Sequence, residues 1–129
     1  MIGTAAVLVV LAGAGWLALV ALVCLLRPEQ ARNSLASMGS NWRWQLGEHV
    51  PRAIVGLAMV LRAPLCKAPQ VFEIGGWFLI ASSILILAAP MRWHNRYAVW
   101  WAERIPLAAY RLLALPTLAM AVLLAYITF

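Results

Sequence analysis

The stretch Ile2–Leu26, IGTAAVLVVLAGAGWLALVALVCLL, runs 25 residues without a charged side chain and closes on Arg27-Pro28-Glu29. A bilayer's hydrocarbon core takes about 20 apolar residues of helix to cross, so this run reads as a membrane span. It exceeds the roughly 7–15 apolar residues of a secretory signal. It also lacks a basic leader and a small-x-small cleavage site, so it is expected to be retained. Ala14, Ala18 and Ala21 recur at helical spacing, with Gly13 and Gly15 among them. Helices in lipid associate through close backbone approach, and this stripe is expected to face other helices.

The rest of the chain extends that reading. With 65% hydrophobic and 11% charged residues, it lies far from a soluble globular domain, which has about 45–50% apolar and about 25% charged residues. Apolar runs predict further spans at about 50–66, 71–89 and 105–128, with Pro116 a kink in the last. The second span is the weakest. Only Ala53–Leu61 is uninterrupted, so crossing requires Arg52 and Arg62 to snorkel toward opposite headgroups. Glu48 and Arg52, four residues apart, are placed to pair.

Two shorter segments, 28–38 and 90–103, read as amphipathic helices lying in the interface. In the first, Ala31, Leu35 and Met38 share a face opposite Glu29, Arg32 and Asn33. In the second, Trp93, Tyr97, Trp100 and Trp101 fall on one face, as rings that settle at the membrane–water boundary do. Gly39-Ser40-Asn41 ends the first, and Trp42 and Trp44 beside Arg43 read as headgroup anchors.

Charge sets the orientation. Arg27, Arg32, Arg43 and Arg52, then Arg92, Arg96, Arg104 and Arg111, make up eight of the ten basic residues. Only Arg62 and Lys67 occupy the connection between them. Basic loops stay cytoplasmic, which puts both interfacial helices on that face and both termini on the other side of a bacterial inner membrane. The net charge of +6 is spread over span ends rather than gathered in a tract. It therefore predicts contact with anionic lipid and not with nucleic acid.

The two halves share a layout. Gly15-Trp16 and Gly76-Trp77 open apolar stretches that end at Pro28 and Pro90, and Asn33 then aligns with Asn95. Val50-Pro51 and Ile105-Pro106 open the next spans. A tandem repeat of two two-span units is expected, with a pseudo-two-fold along the membrane normal.

No reaction announces itself. There is no Asp, and Glu29, Glu48, Glu73 and Glu103 all sit at span ends, which excludes the intramembrane acid of a proton-coupled pump. His49 and His94 read as separate interface residues, without the ligand spacing of a metal site or the facing placement of haem ligands. No cofactor is expected. Cys24 and Cys66, at opposite membrane faces, are not expected to bridge. Ser82 and Ser83 are expected to bond back to their own helix.

Arg111, about two turns into the last span, is the leading charged candidate for lipid phosphate, grouped with Arg52 and Arg104. Arg92, Trp93, Arg96, Tyr97, Trp100 and Trp101 complete the expected lipid contacts. The expectation is an all-α four-helix membrane bundle that is not an enzyme. It would act as a structural, accessory or lipid-interacting subunit, packing as a homo-oligomer or with other membrane proteins. A small transporter or channel at the repeat interface is the alternative.

Overall fold

A computed structural model describes residues 2–129; Met1, the first residue of the single membrane domain expected over 1–129, lies outside it. Among the described residues all regular structure is helical: α1 (Ile2–Leu26), α2 (Pro28–Ser37), α3 (Trp42–Arg62), α4 (Pro69–Ala88), α5 (Met91–Arg104) and α6 (Leu107–Thr128). A 3-10 turn, Ala63–Leu65, joins α3 to the loop before α4. Three helices, α1, α4 and α6, are long and apolar enough to cross a membrane. The 21-residue α3 is as long as α4 but carries Arg43, Glu48, Arg52 and Arg62.

The start of α3 differs most from the sequence expectation, which opened the second span near Pro51. The helix begins at Trp42 instead and continues through Pro51. Its start is fixed by Asn41, extended in backbone, whose side-chain oxygen accepts the Trp44 N–H at 3.0 Å. An Asn cap is worth about 1 kcal/mol, and it places Trp42 and Trp44 in the first helical turn rather than in a loop.

The long helices lie side by side in the order α6, α1, α3, α4. Of the stripe expected in α1, Ala14 and Ala21 are buried and Gly13 and Ala18 half-buried, along with buried Ala6 and Val10, but Gly15 is exposed and faces open space. One core cluster joins Ala6, Val10, Ala58, Met59, Ala63, Phe72 and Ile127, and a second joins Ala21, Cys24 and Ala114. The closest crossing is between α3 and α4. A Cβ on Gly76 would lie 2.5 Å from the Gly56 carbonyl oxygen, and one on Gly56 would lie 2.7 Å from the Gly76 oxygen. Backbones meet there with no side chain between them.

At one end of this row, α2 and α5 pack on each other. Asn95 of α5 donates from Nδ2 to the carbonyls of Ala36 (3.1 Å) and Met38 (2.8 Å), closing the end of α2. The chain turns beside that contact at Gly39, whose φ of +72° and close approach to the Asn95 backbone both exclude a side chain. At the other end, the α3–α4 connection closes the end of α6. Arg62 Nε donates to the Thr128 carbonyl at 2.9 Å, the Lys67 N–H to that of Ile127 at 3.0 Å, and Lys67 Nζ to that of Tyr126 at 3.2 Å.

Candidate functional site

The crossing of α3 over α4, with α5 laid across its end, gathers polar side chains that lie apart in the sequence. Four residues of α3 at helical spacing, Gln45, Glu48, His49 and Arg52, turn toward the Ile86 carbonyl and Ser82 of α4 and His94 of α5. Gln45, His49 and Ser83 are fully buried. The glycine contact one turn below allows this, because without it α3 and α4 would stand too far apart for Arg52 to reach across.

A chain of bonds fixes one half of the cluster. Gln45 Nε2 donates to the Ile86 carbonyl at 3.2 Å, so Gln45 Oε1 is the atom that faces His94 Nδ1 at 2.9 Å. An amide oxygen only accepts, which makes His94 Nδ1 the protonated nitrogen and leaves Nε2 with its lone pair. The imidazoles of His49 and His94 lie 5.2 Å apart at 52°.

The other half is left unsatisfied. Neither ring nitrogen of His49 has a hydrogen-bond partner, and the same is true of Glu48 Oε2, Arg52 Nε and Ser83 Oγ. Glu48 Oε2 and His49 Nε2 are 3.7 Å apart, within ion-pair range and beyond a hydrogen bond. Burial pushes the Glu48 carboxyl up, against the lowering effect of His94 and Arg52. Burial pushes His49 down, and the neighbouring His94 and Arg52 add to that. One nitrogen from each imidazole and a Glu48 oxygen lie within 4.8 Å of one another, so these three residues could hold a metal ion.

The expected lipid-contact residues divide among three places. Arg52 points inward, donating from Nη2 to Ser82 Oγ at 2.8 Å. It forms neither the expected pair with Glu48 nor a snorkelling contact, because the hydroxyl of α4 offers a nearer acceptor. Ser82 Oγ also bonds back to the Leu79 carbonyl, whereas Ser83 Oγ does not bond. Arg111 is exposed beside an open cleft of about 650 Å³, lined also by Leu26, Arg27, Glu29, Asn33 and Leu107. Arg104 caps α5, with its guanidinium 4.0 Å from the Trp100 ring centroid and Nη1 donating to the Trp100 carbonyl. Arg52, Arg104 and Arg111 therefore do not share one cluster.

The aromatic face of α5 is continuous, with Trp101 edge-on to both Tyr97 (6.2 Å) and Trp100 (4.9 Å). Trp93, Tyr97, Trp100 and Trp101 are exposed, as are Arg92 and Arg96, while Ala98 and Ala102 are buried.

Sequence reasoning missed the Glu48–His49–His94 grouping because its members come from two helices 45 residues apart. The one local signal was the adjacency of Glu48 and His49 on a helix that also carries Gln45 and Arg52. No protein-family model matches this chain, and neither a curated protein nor a solved structure shows similarity to it.

Proposed function

We propose that this chain is a four-span protein of the bacterial inner membrane that holds anionic lipid on a cytoplasmic shelf formed by α2 and α5. In this reading it serves as a structural or accessory subunit of a membrane assembly, as a homo-oligomer or with other membrane proteins, and not as an enzyme. The carrying observation is the set of α5. Its buried side is made of Ala98 and Ala102 (3% and 2% exposed), while Trp93, Tyr97, Trp100 and Trp101 are 41–65% exposed. A helix in water would be expected to turn the other way, since burying an aromatic ring contributes about 1.5–3 kcal/mol. Rings facing outward beside Arg92, Arg96 and Arg104 suit a headgroup layer.

Support for α3 as the fourth crossing is its length and its course between α1 and α4, ending beside the closed end of α6. The Val50–Cys66 stretch supplies the apolar part of that crossing. The pairings α1 with α6, α4 with α3, and α2 with α5 are those a tandem repeat would exchange, whereas the packing of α1 on α3 has no comparable α4–α6 counterpart. The cleft at Arg27 and Arg111 suits a lipid phosphate with its chains along Leu26 and Leu107.

Native mass spectrometry in mild detergent tests the lipid and partner assignments together. Retained anionic lipid, reduced in Arg104→Gln/Arg111→Gln, is expected, with further subunits or a homo-oligomer. A bare monomer would refute the reading. For topology, Ser40→Cys and Gln70→Cys in a background without Cys24 and Cys66 should label from opposite sides. Labelling from the same side would mean that α3 does not cross. Buried His49 with half-buried Glu48 and Arg52 favours one second reading, a small transporter; liposome flux lost in Glu48→Gln would select it.

A further inference from the structure

We infer that Glu48, His49 and His94 form a binding site for one divalent transition-metal ion of the zinc class, with Gln45 as its orienting residue. This goes beyond the lipid reading and does not depend on it.

The first argument is the unsatisfied chemistry. His49 is fully buried and both of its nitrogens lack a partner, a state in which few buried polar groups are left. Its nearest polar neighbour, Glu48 Oε2, is also unpartnered. At 3.7 Å the two do not hydrogen-bond, and with the imidazole proton on Nδ1 both Nε2 and the carboxylate oxygen are acceptors. A cation between them satisfies both. At a metal–ligand distance of about 2.1 Å, the 3.7 Å separation corresponds to a ligand–metal–ligand angle of about 124°, which becomes tetrahedral once the two atoms close to about 3.4 Å.

The second argument is the orientation of His94. Metal-binding imidazoles regularly donate their other ring N–H to an oxygen that fixes tautomer and ring plane. Gln45 supplies that oxygen at 2.9 Å and is itself held by the Ile86 carbonyl. His94 is thereby left with Nε2 as its lone-pair nitrogen. Closing the 4.8 Å limit on ligand-atom separation to metal distance takes a side-chain adjustment of about 1 Å.

Two imidazoles and one carboxylate suit Zn²⁺, Fe²⁺ or Co²⁺ and not the hard cations Ca²⁺ and Mg²⁺, which take oxygen ligands. Three protein ligands leave a fourth position for water or another ligand. The nearby Arg52 charge opposes a dication, and its guanidinium is held toward Ser82 Oγ.

The test is Zn²⁺ content after equilibration and desalting of the full-length protein in detergent, with Co²⁺ absorption as the spectroscopic readout. Wild type should take up about one equivalent and give the intense visible bands of a low-coordinate Co²⁺ site. Glu48→Gln and His94→Ala, both at half-buried positions, should lose the uptake while eluting as the wild type does. His49→Ala should lose it also, but its buried position makes the other two variants decisive. Gln45→Leu should weaken affinity by about 10–100-fold while keeping the stoichiometry. Absence of saturable Zn²⁺ uptake in the wild type, or uptake unchanged in both Glu48→Gln and His94→Ala, would overturn the site.

Discussion

Gly76→Ala is the sharpest test of the packing on which the polar cluster depends. The added methyl would meet the Gly56 oxygen at 2.5 Å, Val60 Cγ2 at 2.8 Å and the Val60 nitrogen at 3.1 Å. Two of these neighbours are backbone atoms, so α3 must move away by nearly 1 Å to restore ordinary contact. Over-packing costs about 1–3 kcal/mol, and a rigid backbone neighbour puts this case at the upper end. The better helix propensity of Ala returns about 1 kcal/mol.

The net expectation is destabilisation by about 2 kcal/mol, or roughly 30-fold in the folded-to-unfolded ratio. Gly15→Ala is the control, because nothing lies within 4 Å of its Cβ; it should be neutral or slightly stabilising. Unfolding in mixed micelles with increasing denaturing detergent, followed by helical circular dichroism, reads the difference. Adding Gly56→Ala to Gly76→Ala should cost less than the two singles summed, since the first already separates the helices. If Gly76→Ala unfolds with Gly15→Ala, the close crossing is wrong, and with it the reach of Arg52 to Ser82.

Further expectations concern individual bonds. Asn95→Ala should cost about 1–3 kcal/mol by stranding the Ala36 and Met38 carbonyls, and hydrogen exchange should show α2 loosening while α6 stays protected. Arg52→Met should hold or raise the melting temperature, because an apolar side chain of similar reach often replaces a partly buried charge without loss; a fall of several degrees would assign Arg52 a larger structural part than its single bond to Ser82 implies. Arg62→Ala should cost about 1 kcal/mol and raise exchange at the end of α6, where its Nε meets the Thr128 carbonyl.

The fold and the site were legible in the sequence to different depths, for physical reasons. Ile2–Leu26 and the outward rings of α5 follow from one-dimensional patterns, charge-free length and helical spacing. The start of α3 was obscured because Pro51 is a louder signal than Asn41, although the cap decides where the helix begins. Of the cluster, only the adjacency of Glu48 and His49 was legible. Gln45, His49 and His94 meet only because two glycines let α3 and α4 touch and α5 folds back over their end, and no spacing rule along the chain encodes that approach. Arg52 shows the same limit, since the acceptor it finds is Ser82, thirty residues away.

The closed end of α6 bears on the order of biosynthesis. Helices inserted into lipid still carry unsatisfied carbonyls at their last turn. For α6 the donors come from Arg62 and Lys67, residues synthesised well before it. The α3–α4 hairpin can thus be in place as a template when the last helix emerges, and α6 docks onto donors already waiting. A chain truncated before α6 would leave those donors without the acceptors they meet in the full fold.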